Sequence, residues 1–448
     1  MGSPPEAAAG LDLAQEPELR ETALSGLLWL TGHPAEDPRW APFDVVRRLH
    51  SSAERIVMAA GSAWRGGTIE VDRLLTGRAG ILGLTRQGSV SAGGSCQFLQ
   101  TCDGWLALNM PRASDLELVP ALVGTDDHVP SPEIAWSLLR GVARSRSTSD
   151  MLGRARLLGM AASELAVGRI SRSGDPEDIE RLGLSVSHAP DRPWTVVDLS
   201  AMWAGPLCAS LLGDAGARVI KVESATRPDG ARSGDPRFFD DLNSGHESVV
   251  LDFHSREGLG ALHALLAGAD VVIEASRPRA LISLGVDARQ IVAAHPGMTW
   301  IAITGHGPGG ADSVAFGDDA AVAAGMAARD AAGRPVFVAD ALADPITGIH
   351  GARSVLESRT RGGGELIRLA MVDAVSTSCR AWSRPPPPVR SVIRERASRR
   401  GAAIDEQWMV EIGTEICRVM RPTAPPIAPR SRAMGADTVA VLDEFGDR

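Results

Sequence analysis

From Thr195 onward the chain repeats one pattern, a short and almost unbroken apolar run rich in β-branched residues followed by a longer segment with helical spacing. The runs are TVVDL (Thr195 to Leu199), RVIKVE (Arg218 to Glu223), SVVLDF (Ser248 to Phe253), DVVIEA (Asp270 to Ala275) and TWIAIT (Thr299 to Thr304). Apolar character at successive positions predicts strands covered on both faces, as in a parallel sheet. The stretches between them predict helices, among them GPLCASLLGDAG, with Pro206 near a first turn, and EGLGALHALLAGA. Strand and helix in alternation define the α/β class, here a Rossmann-like parallel sheet domain with right-handed crossovers.

The earlier part reads differently. LELVPALVG, PEIAWSLLRGVA and SDMLGRARLLGMAASELAVG place apolar residues three and four apart, the spacing of helices with one packed face. SCQFLQTCDGWLALNM predicts a hairpin turning at Asp103-Gly104. A smaller mixed α+β domain is therefore expected over 1–185 and the sheet domain over 186–382, with the turn-rich stretch from Arg172 to Pro193 as the boundary. SRPPPPVRS (Ser383 to Ser391) predicts an extended linker. With TAPPIAPRSRA and one short helix in GADTVAVLDEFGD, it gives a third segment, 383–448, packing back on the fold.

Composition narrows the function. With 46 basic against 55 acidic residues the net charge is -9, which removes the cationic face a general nucleic-acid binder needs. No apolar run reaches the ~18 residues of a membrane span, and the first residues lack the basic-then-apolar pattern of a leader, so a cytoplasmic location is expected. The 5 cysteines form no C-x-x-C pair, and neither a disulfide scaffold nor a metal site is expected. Lys221 is the single lysine and falls within a strand run, an unsuitable place for Schiff-base chemistry.

Gly305, Gly307 and Gly310 spell G-x-G-x-x-G, but after the fifth run and ahead of a segment without a helical apolar face. The motif therefore reads as a glycine-rich loop and not as a dinucleotide fingerprint, which belongs to the first strand-to-helix turn. H-E-x-x-H, G-x-S-x-G and P-loop patterns are absent. What remains is carboxylate chemistry at Asp318 and Asp319 in AFGDDAA and at Asp340 and Asp344 in VADALADPITGIHGA. Taken singly, each reads first as a helix cap or a solvated loop residue. Asp344, ahead of Pro345 and an apolar stretch, fits the N-cap of a helix, where amides hold a carboxylate ionised and would stabilise an oxyanion. His306 and His350 read as loop or helix-surface histidines, Trp105, Trp194 and Trp300 as core anchors, and Cys208 as a packed thiol.

In order along the chain, these segments resemble the family III coenzyme A transferases. VVDLSAMWAGPLCASLLGDAGARVIKVES is similar to that family's opening strand, turn, helix and second strand. LNSGHESVVLDF, DVVIEASRPRALISLGV and WIAITGHGPGG are similar to its next strands and its glycine-rich loop. ALADPITGIHGA with GGGELIRLAMVDAV is similar to its catalytic-aspartate helix and the strand after it. The resemblance implies the family III fold, with Asp344 as nucleophile and with Gly305 and Gly307 in the loop that neutralises the oxyanion. It implies coenzyme A contacts from Met202, Trp203 and Ala204, from Ala275, Ser276 and Arg277, from Thr304 and His306, and from Arg227 and Arg279 toward phosphate. The activity implied is an acyl-CoA:carboxylate CoA-transferase with a covalent aspartyl intermediate. Its partners would be an acyl-CoA donor and a carboxylic acid acceptor, with the coenzyme A thioester as substrate, no permanently bound cofactor, no nucleic-acid or membrane partner, and a homodimeric assembly.

The chain departs from the family pattern at Ser224 and at His246-Glu247, where basic residues are usual, and Arg227, Arg232, Arg277 and Arg279 are the arginines left to meet phosphate. The family's racemase branch sets a histidine beside an aspartate where this chain has Asp318-Asp319, which favours acyl transfer over proton abstraction. A racemase or isomerase of acyl-CoA and a catalytically inactive CoA-thioester-binding protein are the alternatives. Upstream, SGLLWLTGHPAEDPRW is similar to the segment before the catalytic aspartate, which implies a fused or permuted, degenerate half in which Arg47 stands where Asp344 does.

Overall fold

The structure is a computed structural model that describes residues 15–129, 131–165, 174–187, 193–307, 310, 313–398 and 401–446. The expected boundary around 172–193 therefore lies partly outside the described residues. The central sheet has seven strands: β1 (Glu177–Arg181), β2 (Thr195–Asp198), β3 (Arg218–Ser224), β4 (Glu247–Leu251), β5 (Val271–Glu274), β6 (Thr299–Thr304) and β7 (Glu365–Ala370). Their order is β1-β7-β6-β5-β2-β3-β4. Strands β2 to β7 pair in parallel and β1 joins β7 antiparallel. The chain winds outward from β2 to one edge, then returns to β5 and winds to the other, so the topological switch point lies between β2 and β5.

Five helices position the site: α1 (Val46–Ala60), α2 (Ala204–Asp214), α3 (Gly317–Ala323), α4 (Ala343–Thr360) and α5 (Met371–Ser378). Side chains alternate across the strands and feed two cores. Val196, Ile273, Ile301, Ile303, Ile367 and Leu369 face α2 and α4 on one side. Val197, Val272, Trp300 and Leu366 face Leu281, Val286 and Val292 on the other.

Helix α4 is buried along nearly its whole length. A Cβ at Gly348 would lie 2.8 Å from the Ala204 carbonyl oxygen and 2.9 Å from Leu207 Cβ, so only glycine lets α2 approach this closely. Against another side of α4 packs α1, which adds Leu49, Ala53 and Ile56 to the same core. The hairpin Cys96–Gln100 and Trp105–Asn109 forms as expected, and the helices over 113–157 pack on it with a core of their own.

Three elements differ from expectation. Strand β1 lies in EDIER, inside the polar stretch read as a boundary. Its attachment is ionic where the other strands are apolar: Arg368 pairs with Asp178 and Glu180, Arg181 with Glu365, and Arg353 with Glu177. Ala161–Glu164 leaves the preceding helix, which ends at Leu157 before Gly159, and becomes the third strand beside the hairpin. The expected linker holds no helix or strand from Ser383 to Pro388, but its last three residues begin a long hairpin, Val389–Ser398 with Gly401–Ile412, that was not anticipated. The expected last helix is present at Thr438–Gly446 and packs on Arg256–Ala267.

Arg353 carries a testable consequence. It is 2% exposed and joins α4 to β1 through Glu177 at 2.7 Å and Asp175 at 2.6 Å. Arg353→Leu leaves Glu177 without its cation and is expected to lower unfolding free energy by about 3 kcal/mol. Urea denaturation at pH 7 measures it, and a midpoint equal to wild type would show that β1 is held by its backbone pairing alone.

Candidate active site

The carboxyl ends of β2, β3, β5 and β6 share one edge of the sheet, where open α/β folds bind ligands. Beyond β2 the backbone turns sharply through Ser200 to Trp203 into α2. Met202 adopts φ 71°, a left-handed conformation that costs a non-glycine residue about 1–2 kcal/mol. The fully buried Lys221 explains how the turn is held. Its Nζ pairs with Asp229 at 2.9 Å and with Asp198 at 3.6 Å, and donates to the Ser200 carbonyl at 3.1 Å. Asp229 in turn accepts the Met202 amide at 3.0 Å and the Ala231 amide at 2.9 Å. Burial opposes a charge on Lys221, but Asp198 and Asp229 more than offset it and hold the ammonium above its usual range. The single lysine is thus structural.

A second charge system surrounds the start of α4. Asp318 and Asp319 open α3, while Asp340 and Asp344 flank the turn into α4. The Gly317 amide donates to Asp344 Oδ2 at 3.1 Å, and the Ala341 amide to Asp318 Oδ1 at 2.9 Å. Asp319 Oδ1 accepts from Asn109 Nδ2 at 3.0 Å and from the Phe316 amide at 2.9 Å. A side chain at Gly317 would collide with the Ala341 carbonyl oxygen and with Asp344 Oδ2, so glycine is what lets the two turns meet. Ala339 and Ala341 have φ of 59° and 44°, a strained entry that the surroundings must enforce.

Arg78, on the helix Val71–Leu82, binds both oxygens of Asp340 at 2.7 Å. Its guanidinium also lies 5.6 Å from the ring centre of Trp203 and 5.5 Å from that of Phe238. These two rings meet edge to face at 5.2 Å. One arginine thereby ties the turn after β2 to the turn before α4.

The electrostatics follow from four carboxylates in a packed setting. Asp344 keeps a little exposed surface, yet burial first, and then the charge of Asp318, push its carboxyl up to about 7 against the pull of Arg78. Burial and Asp340 push Asp318 up to about 6. Burial pushes Asp319 up to about 7 despite the hydrogen bonds from Asn109 and Phe316. Burial raises Asp340 as well, with Arg78 opposing. At neutral pH the cluster is therefore a partly protonated group whose protons are shared among coupled carboxyls.

The four aspartates singled out by sequence come together here. Asp344 was expected to cap α4; instead it is the second residue of the helix, behind the cap Leu342, because the helical turn already closes at Ala343. Arg47 holds the same second position of α1, where it pairs with Glu18 at 2.6 Å. Trp203 and Ala204 are buried beside α4, and Met202 is 40% exposed at the turn. Ala275, Ser276, Arg277 and Arg279 follow β5, and Arg227 follows β3, at the same sheet edge but outside the carboxylate cluster. Arg277 reaches Gly159, just beyond the helix Thr148–Leu157. Thr304 ends β6, and Gly305, His306 and Gly307 follow it. Gly305 packs tightly against Ala315, two residues before the Asp344 donor Gly317, and its carbonyl accepts the Val372 amide of α5 at 3.1 Å. Arg232 is engaged by Glu223.

His350 is buried, not on the helix surface, because α4 has no solvent face; its Nε2 lies 2.7 Å from Ser378 Oγ and burial lowers it to about 3. Trp194 and Trp300 are core residues, whereas Trp105 is only partly buried. Cys208 is buried, and burial raises its thiol. Sequence reasoning missed Arg78 and Asp229. Asp229 carried a weak local signal as a turn residue after a strand, but Arg78 carried none, since its partner is 262 positions away.

At its carboxyl edge this doubly wound α/β sheet carries a cluster of aspartates with raised carboxyls. Residues 193–399 match the model of CoA-transferase family III. The chain is similar to formyl-CoA:oxalate CoA-transferase of Afipia carboxidovorans, 31% identical over 205 residues, covering 42% of this chain and 48% of the relative. Succinate–glutarate CoA-transferase of Agrobacterium fabrum is 30% identical over 203 residues, covering 40% and 50%. Among solved structures, a CAIB/BAIF family protein from Brucella suis is 30% identical, covering 41% of this chain and 53% of that one, with a TM-score of 0.37. The chain spans about half the length of the curated relatives it matches. Among the described residues no helix is long and apolar enough to cross a membrane.

Two measurements test the electrostatics. Asp344 ionises near 3.8 when unfolded and near 7 when folded, so between those values the folded state holds an extra proton. Its contribution favours folding at low pH and is lost as pH rises from about 4 through 7. Asp344→Asn is therefore expected to be more stable than wild type by roughly 2 kcal/mol at pH 8, a value discounted for partial exposure, with the gap closing near pH 4. Thermal denaturation across that range checks the sign. Removing the cation in Arg78→Leu is expected to carry Asp344 above 7, with Arg78→Lys close to wild type, as read by carbon-13 NMR titration of labelled aspartate carboxyls. An unchanged titration in Arg78→Leu would show that Arg78 serves Asp340 alone.

Proposed function

We propose that the protein is an acyl-CoA:carboxylate CoA-transferase that works through Asp344. The observation that carries this reading is Asp344 itself. It is the second residue of α4 at the carboxyl edge of the sheet, accepts an amide hydrogen bond from Gly317, and has its carboxyl raised by burial to about 7, inside the family-matched region.

In this mechanism one Asp344 oxygen attacks the thioester carbonyl of the donor, the carbon–sulfur bond breaks, and coenzyme A leaves as thiolate with an aspartyl–acyl anhydride on the enzyme. The thiolate then attacks the aspartyl carbonyl, which releases the donor acid and leaves an aspartyl-CoA thioester. The acceptor carboxylate attacks that thioester and the same two steps run in reverse, forming the new acyl-CoA and regenerating Asp344. Amides of the loop holding Gly305 and Gly307 would stabilise each tetrahedral oxyanion. The Met202 to Ala204 turn would lie along the pantetheine arm. The residues from Ala275 to Arg279, with Arg227, would meet the nucleotide, arginine forks suiting phosphate. Both relatives named above are CoA-transferases by name, which supports the acyl-transfer class.

Hydroxylamine trapping tests the covalent step. After incubation with a panel of acyl-CoA thioesters and hydroxylamine, peptide mass spectrometry is expected to show a hydroxamate at Asp344 in the wild type and none in Asp344→Ala. Coenzyme A binding without modification by any thioester would sink the nucleophile assignment. A second reading follows from Asp318, at about 6, lying close enough to Asp344 to raise its carboxyl. Two carboxyls of unequal pKa suit removal and return of an α-proton next to a thioester. Deuterium entry at Cα without exchange of coenzyme A would favour that isomerase over the transferase.

A further inference from the structure

On the sheet face opposite α4, a cavity of about 500 Å³ lies under β5, β6 and β7, within the size range of small-molecule sites. Its walls are mostly apolar, formed by Leu281, Val286, Ala302, Leu366 and Ala370, and its upper end reaches Thr304 and Gly307. Of the charged groups lining it, Glu274, the last residue of β5 and 7% exposed, is the most deeply buried; a second carboxylate, Asp373, lines it as well and is partly buried. Its Oε1 accepts the Trp300 indole N–H at 3.1 Å, and its Oε2 has no hydrogen-bond partner among the described residues. A buried carboxylate oxygen without a partner is costly, and native interiors rarely leave one empty.

The charge around the cavity decides what would satisfy it. Two arginines stand at the rim, and both are already committed: Arg289 to Glu180 at 2.5 Å, and Arg368 to Glu180 at 2.6 Å and Asp178 at 3.1 Å. Asp287 at the rim caps its own helix through the Arg289 and Gln290 amides. The pocket thus offers an acceptor at depth and no uncommitted arginine, a setting hostile to carboxylate or phosphate and suited to a donor. We propose that this cavity binds an apolar molecule with one hydrogen-bond-donating head, an alkyl amine or alcohol, whose head sits on Glu274 and whose tail lies along Leu281 and Leu366. The cavity shares Thr304 and Gly307 with the loop assigned above to the transfer chemistry, but its Glu274 end lies on the sheet face opposite α4 and Asp344, and its occupancy does not require that chemistry.

Burial pushes Glu274 up to about 7, which gives the proposal a pH signature. The ionised fraction of a group titrating near 7 falls about tenfold between pH 8 and pH 6. Isothermal titration of the full chain with octylamine, 1-octanol and octanoate tests the site. Octylamine and octanol are expected to bind, with octanoate at least tenfold weaker. Octylamine affinity should fall about tenfold from pH 8 to pH 6 while that of octanol stays nearly constant. Glu274→Gln should abolish the preference for the amine and its pH dependence while keeping octanol. Leu366→Trp, which fills the cavity, should abolish binding of all three, with a thermal melt confirming that each variant is folded. The proposal is overturned if none of the three probes binds, if octanoate matches octylamine, or if folded Glu274→Gln binds octylamine as wild type does.

Discussion

A helix with no solvent face organises this protein. Helix α4 lies between the sheet and α2, with α1 against another side, and its small residues let neighbours approach the backbone that larger ones would hold away. An element buried all round must meet several surfaces at once, so its position is fixed more tightly than that of an amphipathic helix resting on one core. The consequence for chemistry is direct. Asp344 sits in the first turn of the most constrained element in the fold, and its orientation is inherited from packing that runs the length of α4. The same packing draws in α1 from the first part of the chain, so the site depends on residues well outside the family-matched region.

Around that helix the protein stores charge in two contrasting ways. At the turn after β2, Lys221 is matched by Asp198 and Asp229, and the buried network is balanced enough to hold Met202 in a strained conformation. At the turn before α4, four carboxylates share the cation of Arg78, and the imbalance shows as raised carboxyls. The first arrangement is built for rigidity. The second keeps protons within reach at neutral pH, which is where perturbed groups concentrate when chemistry is to be done. Glu274, on the opposite face, is raised by burial too, opposed by the hydrogen bond from Trp300.

The legible part of the structure was the part governed by local pattern. The five β-branched runs became β2 to β6 with ends shifted by a residue or two, because strands buried on both faces must be apolar throughout and little else satisfies that. The Asp103-Gly104 hairpin and the last helix followed from turn chemistry and periodicity in the same way. Strand β1 escaped because its hold on β7 is a ladder of backbone bonds and ion pairs, and a polar EDIER looks like a loop until arginines from β7 and α4 stand beside it. The hairpin beyond the proline run escaped because proline marks where regular structure stops and says nothing of where it resumes.

The candidate site divides along the same line. Sequence alone determined the four aspartates, the glycine-rich loop, the turn ahead of α2 and the family signature, since each lies within a short segment whose residue types limit what it can be. Only the tertiary structure decided that those aspartates converge, that Arg78 reaches them from 262 positions away, and that the Asp344 carboxyl is raised. A pKa is set by burial and by the charges within a few ångströms. Those neighbours are brought together by packing between distant segments, an arrangement that no local pattern of residues records.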